Sequence, residues 1–592
     1  MDKHNNTVPQ AEDTWSLDVL YKGMDDPQYQ TDKEQLTKLI GEATAWLDQE
    51  GEPKARIIRA FELNEQLTSL ILKLAQYLYL SQSVDTTNSR YTGELNSIFM
   101  SLTALEPFTV TLNQLVAADP DLDELAEADT LKSYRDLLER MKLSAEHQLT
   151  PELESMVAKL NLSGGNAWSN LFDNLTSTVE VEWEDGTVPL STIRGLASDP
   201  DRDVRRRAYE AELAAYPKIE TSIAFALNSI KTQVKLLAGE RGFESPLDEA
   251  LFKSRLSRET LDRMLGVMKS RVPVLHRYLR LKAEWLGVEQ LAWYDLFAPV
   301  GKAARRYTVD EARELLKTVF EPLPEVWAVM ERAFNERWID LYPRSGKQGG
   351  AFCANLPEQG QSRVMTNFMG SLEDVNTFAH ELGHAYHGYC IEEHAILNQD
   401  YTMPVAETAS TFNETHLTLA MMEATDDPAE QLPALENFMM STAQTVCDIY
   451  SRFLFEQEVF ERCDQTFLNS EALQEIMLRT QAEAYGDTID PDLRHPYMWT
   501  NKSHYYSPDL SYYNFPYAFG QLFSLGLYNQ YQQEGEAFLP KYHDLLKETT
   551  VASCEDVAKT VGIDLTAPDL WEQAFDTIEE LVDTYETLVK ND

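Results

Sequence analysis

SLEDVNTFAHELGHAYHGY, residues 371–389, is the stretch from which the rest of this chain can be read. Ser371 followed by Asp374 makes a capping-box pair, and Glu373 and Asp374 put negative charge in a first turn. Val375, Phe378, Ala379, Leu382, Ala385 and Tyr386 then recur at helical spacing. The segment therefore predicts a helix that begins at Ser371. On it His380 and His384 lie one turn apart on one face, where two imidazoles can hold a single zinc ion. Glu381 stands beside that face, placed to take a proton from a metal-bound water. Two surface histidines sharing a face by chance is the plain alternative. The independent helix signals tell against it, and so does Gly383, which costs about 1 kcal/mol relative to alanine inside a helix. Close approach of another backbone or side chain to the metal would explain that glycine.

A catalytic zinc site keeps three protein ligands and one open position. His387 shares the helical stripe, but its Cα lies about 10.5 Å along the axis from that of His380, too far to converge on the same ion. It is expected to support the site from behind, or to pack on a neighbouring helix. The next helix offers a better ligand. Pro404 suits a first turn, and VAETASTFNETHLTLAMMEA, residues 405–424, continues with helical period. Glu407, Thr411 and Glu414 share one face of it. Glu407 is assigned to the metal, and Glu414 to orienting a histidine ligand from outside. A solvated acidic stripe is the competing reading of these two glutamates.

Farther on, residues 495–520 hold His504 and five tyrosines between Tyr505 and Tyr517. Hydrolysis of an amide builds an oxyanion, and phenol or imidazole donors aimed at it lower the barrier. His504, Tyr513 and Tyr517 are the candidates; an amphipathic aromatic wall is the plain alternative. Ahead of the HELGH segment, the glycine-rich region 346–370 holds two β-leaning runs, GGAFCANL and SRVMTNFMG. The run Arg363–Met369 could pair with an extended substrate as an added strand, through Val364, Thr366 and Phe368.

These segments resemble peptidase family M3, specifically its oligoendopeptidase F branch. The likeness rests on residues 371–389, on PVAETASTFNE at 404–414, on SHYYSPDLSYYNFPYAFGQLFSLGLY at 503–528 and on GKQGGAFC at 346–353. It is looser over LASDPDRDVRRRAYEAE at 196–212. The resemblance implies a zinc-dependent oligoendopeptidase that hydrolyses internal bonds of short unstructured peptides. It places one zinc ion on His380, His384 and Glu407, Glu381 as general base, and His504, Tyr513 and Tyr517 near the scissile carbonyl. It implies an all-α, two-lobed helical zincin with a deep substrate channel; the residues themselves read as mainly α with a small β-sheet beside the HELGH helix. Two departures stand out: a longer His504-to-Tyr513 spacing, and Gly520 where the family pattern suggests a tyrosine.

The remaining sequence fits that frame. Helical periodicity dominates, as in IIRAFELNEQLTSLILKLAQYLYL at 57–80. Thr178–Trp183 and Thr187–Leu190 read as a hairpin turning at Asp185-Gly186, and Asp119–Asp129 as a solvated connection. The expected division is an N-terminal helical lobe at 1–125, a helical connection with the hairpin at 126–200, and a catalytic domain at 201–592. Fifty-one Lys and Arg against 97 Asp and Glu leave a net charge of −46, which argues against nucleic acid or anionic membrane as partners. Short peptides are the expected partners, and no oligomeric state follows from the residues. Five widely spaced cysteines without a CxxC pair, no apolar leader and no membrane-spanning run point to the cytoplasm. A helical binding protein with a structural zinc, and a zinc hydrolase of non-peptide amides, are the competing functions.

Overall fold

The computed structural model describes residues 13–301, 305–425 and 427–591. Helices dominate, and the long apolar period at 57–80 forms one helix, Pro53–Val84. Among the described residues no helix is long and apolar enough to cross a membrane. All five cysteines are free thiols.

Two hydrophobic cores organise the chain. The smaller runs from Trp15 to Leu138 and takes in Leu356 and Met365. The larger runs from Phe172 to Leu588. A hairpin, β1 (Glu180–Trp183) and β2 (Gly186–Pro189), belongs to the second region. Its register pairs Trp183 with Gly186, so the turn is Glu184-Asp185 and not Asp185-Gly186. Glu184 takes the left-handed conformation there, with φ 51°.

The sheet that matters for the site has three strands, β3 (Ile339–Asp340), β4 (Phe352–Leu356) and β5 (Gln361–Met365), in the order β3-β5-β4. β5 is parallel to β3 and antiparallel to β4. Strand alternation lets it serve both cores: Val364 points into the larger and Met365 into the smaller. This sheet packs on the HELGH helix, Leu372–Ile391, chiefly through β4 and β5.

That helix starts as the sequence predicts. Ser371 N–H donates to Asp374 Oδ2 at 2.8 Å, and Asp374 N–H returns a bond to Ser371 Oγ at 3.1 Å. Helix Thr408–Ala424 crosses against it, and helix Phe515–Glu534 packs on that second helix. Gly383 marks the crossing. A Cβ built there would stand 2.7 Å from both Ala409 O and Ser410 Cα, so no other residue lets the two backbones meet. The helix expected to run unbroken from Pro404 is in fact two. A short turn, Met403–Ala406, ends at Glu407, whose φ of −89° and ψ of 8° lie in the bridge region before the next helix starts at Thr408.

Candidate metal centre

The break at Glu407 brings its carboxylate over the HELGH helix. Glu407 Oε2 lies 3.4 Å from His380 Nε2 and 3.3 Å from His384 Nε2. The two imidazole planes stand at 83° to each other. One donor atom from each of the three residues falls within 4.8 Å of the others, so the trio could hold a metal ion. Two further contacts fix the donors. Ser410 Oγ donates to Glu407 Oε2 at 2.7 Å. His380 Nδ1 meets Glu414 Oε1, which assigns the proton of the neutral ring to Nδ1 and leaves Nε2 of that form free to coordinate.

The electrostatics are those of three carboxylates crowded round two imidazoles. Burial works against charge on His380, but the bonded Glu414, with Glu407 and Glu381 behind it, raises it to about 9. Burial would raise Glu407, yet the neighbouring His384 and His380 draw it down to about 2. Glu381 is 6% exposed. Burial pushes its carboxyl up, the two imidazoles oppose this, and Glu407 and Glu414 add to it. A cavity of about 450 Å³ opens over His380, Glu381 and Glu414, with Ala351, Asn437 and Gln444 in its wall.

His504, Tyr513 and Tyr517 form one aromatic cluster. Ring centroids are 4.5 Å apart for His504 and Tyr513, 6.3 Å for His504 and Tyr517, and 5.4 Å for the two tyrosines. Tyr517 sits in the first turn of helix Phe515–Glu534, whose Gly520 faces Glu407. A Cβ at 520 would stand 3.1 Å from Glu407 Cβ, so any larger residue there would press on Glu407. Burial, then Tyr513, then the Glu407 charge raise the Tyr517 phenol well above its ordinary value. Burial with Arg452 and Lys502 lowers His504 to about 4, so its imidazole is neutral at pH 7.

The peptidase family M3 model matches residues 195–577, and an oligopeptidase F model matches residues 115–180. The chain belongs to peptidase family M3. Oligopeptidase PepF of Bacillus subtilis is 24% identical over 99% of this chain and 90% of its own length. Group B oligopeptidase PepB of Streptococcus agalactiae is 25% identical over 97% of each. The crystal structure of oligoendopeptidase-F from Enterococcus faecium superposes with a TM-score of 0.71 at 22% identity, over 95% of this chain and 99% of that one. That likeness shows the mainly α fold.

In this M3 metallopeptidase three expected substrate contacts need correction. Val364 and Phe368 are buried in the larger core, and Thr366 Oγ1 donates to Leu341 O at 3.0 Å. The reason is strand order: β5 is flanked on both sides, so Val364 pairs with Ile339 and Cys353, and no edge is left for a substrate. The edge strand on that side is β4, next to Ala351 in the wall of the cavity over His380. His387 is fully buried. It stacks on Tyr401 with centroids 4.2 Å apart, and its Nε2 meets Thr549 Oγ1 at 2.8 Å. Its ring is engaged by those neighbours, whereas the ring of His380 is engaged by Glu414.

Other supports of the site leave no local mark in the sequence. Tyr512, just before Tyr513, has φ 53°, an uncommon conformation for a bulky residue. Glu456 holds it there, accepting from Tyr512 N–H at 3.1 Å and Asn514 Nδ2 at 2.9 Å. Glu456 is paired in turn with the buried Lys231 at 2.6 Å. Only the local strain of a loop that must turn before a helix could have hinted at this anchor.

Proposed function

We propose that the protein is a zinc-dependent oligoendopeptidase that cleaves internal bonds of short, unstructured peptides. One zinc ion is held by His380, His384 and Glu407. The observation that carries this reading is the spacing of the donors. Ligands 2.0–2.1 Å from a tetrahedral zinc stand about 3.3–3.4 Å apart, and Glu407 Oε2 lies 3.3 and 3.4 Å from the two histidine nitrogens. When bound, zinc supplies the positive charge that makes water a nucleophile near neutral pH and polarises a carbonyl.

The chain's own residues do the rest. Glu381, buried at the floor of the cavity, accepts the proton of the attacking water and passes it to the leaving amine. Tyr517, Tyr513 and His504, one aromatic cluster, serve as donors for the oxyanion. Glu414 keeps His380 in the coordinating tautomer. An extended peptide would pair along β4, which reads backbone and tolerates many side chains. The net charge of −46 fits neither nucleic acid nor an anionic membrane as partner, and the free cysteines fit the cytoplasm. The test is a quenched peptide of about ten residues incubated with the protein, with and without chelator. Cleavage that chelator abolishes supports the reading; chelator-resistant cleavage, or none at all, contradicts it.

A further inference from the structure

Beside the catalytic cavity lies a second one of about 310 Å³. The two share Phe297, Met440 and Gln444, so they adjoin along one cleft. Gln444 opens a π-helical turn, Gln444–Asp448, between helices Pro428–Ala443 and Ile449–Arg462. Such turns are rare and recur at functional sites. This one lends Gln444 to both cavities and Asp448 to the second.

Most of the second wall is aromatic or aliphatic, and its charge gathers in Arg194, Arg205, Glu212, Asp448 and Lys502. Arg205 is already bonded to the buried Asp295. The two lining carboxylates are engaged as well. Glu212 accepts from the Tyr216 hydroxyl at 2.6 Å and has Arg194 Nε at 3.4 Å. Asp448 is bonded by Arg452.

Two donors keep bonding capacity to spare. The Lys502 ammonium forms a loose ion pair with Asp448 at 3.8 Å and makes no hydrogen bond to a described residue. His495, 1% exposed, lines the same cavity, and both its ring nitrogens are buried without a hydrogen-bond partner. Its Nε2 lies 3.4 Å from Glu212 Oε1, an ion pair only when the ring is protonated. The ring is boxed by Tyr209, Tyr216 and Trp293 and cannot turn away. Buried ring nitrogens left open, as those of His495 are, cost stability unless a ligand or water meets them.

We propose that this cavity is a substrate subsite for a carboxylate, carried either by an acidic side chain or by the free C-terminus of the peptide. The proposal rests on the peptidase reading above. Lys502 and His495 are its donors, and Arg194, 39% exposed, stands at its mouth. Burial lowers the Lys502 ammonium to about 8; Asp448 opposes this, Arg452 and Arg194 add to it, and Glu212 opposes. A bound carboxylate would supply the charge that those neighbours leave unbalanced. The charges of the same Lys502 and of Arg452 lower His504, two residues further along the chain. A chain with net charge −46 repels acidic peptides at a distance, and a local cationic pocket is how it would still accept them.

The experiment uses the wild-type zinc-loaded enzyme and quenched ten-residue peptides in matched pairs. Glu and Gln are exchanged at each position, and every peptide is made as the free acid and as the amide. The expected result is a loss of about tenfold in kcat/KM, mostly in KM, for at least one Glu-to-Gln exchange or for amidation. A loss on exchange assigns a side chain, and a loss on amidation assigns the C-terminus. Lys502→Met should erase the difference and Lys502→Arg should restore part of it. Equal cleavage of every matched pair by the wild type overturns the subsite, as does a difference that survives intact in Lys502→Met. No cleavage of any peptide overturns the peptidase reading itself, a result distinct from cleavage without preference.

Discussion

At His380 two carboxylates divide one imidazole: Glu414 takes Nδ1, and Glu407 faces Nε2. Without Glu414 the ring is free to turn, and its proton can move to the nitrogen that should coordinate. Glu414→Ala is therefore expected to weaken zinc affinity about ten- to hundredfold in a chelator competition, and unchanged affinity would remove its role. Tyr517→Phe should lower kcat about tenfold while KM stays nearly fixed, because the phenol acts only as charge develops on the oxygen. Steady-state kinetics decide it, and a rise in KM alone would mark Tyr517 as a binding residue. These residues were legible because HExxH spacing and an i, i+7 pair of glutamates are local patterns. The Glu456–Lys231 pair behind Tyr512 was not, since its members lie 225 positions apart in sequence. His387 shows the limit of a stripe: helical phase put it near the ligands, and packing on Tyr401 and Thr549 decided what its ring touches.

Among the elements, the crossing at Gly383 makes a prediction of opposite sign to helix propensity. Alanine at an open helical site would gain up to about 1 kcal/mol over glycine. Here the new Cβ would meet Ala409 O and Ser410 Cα at 2.7 Å, and backbone cannot move aside as a side chain can. Gly383→Ala should therefore destabilise by about 1–3 kcal/mol in denaturant melts, and it should weaken zinc retention because Ala409 lies two residues from Glu407. A stabilised variant would show that the two helices do not meet there. The sequence signalled this close approach through the glycine itself. It also signalled two strands before the HELGH helix, but not their order. β5 is central because Ile339–Asp340, a strand of two residues, pairs with it, and so short an element leaves no periodicity to read. The bridge-region break at Glu407 was hidden for a similar reason: VAETAS has the composition of an ordinary helix.

Taken whole, the molecule carries its excess of 46 negative charges on a fold with two cores. Self-repulsion of that size weakens as salt screens it, over a Debye length that shrinks from about 30 Å at 0.01 M to about 3 Å at 1 M. The Tm should rise by several degrees between low and about 0.5 M sodium chloride in a thermal melt. A fall would mean that the many surface ion pairs outweigh the net repulsion. Composition made this property plain, whereas the division into cores was not plain at all. Leu356 and Met365 are contributed to the N-terminal core by a hairpin more than 200 residues further along the chain, a long-range contact that no local pattern announces. The central claim concerns the division of labour within HELGH: His380 and His384, with Glu407, hold the metal, and Glu381 moves the proton. Zinc content and peptide cleavage measured on the same preparations of wild type and Glu381→Gln test it most directly. The account predicts one zinc per chain in both proteins and a loss of at least about a hundredfold in kcat for the variant. A variant that cleaves as the wild type does, or a fully active wild type that carries no zinc, would contradict it.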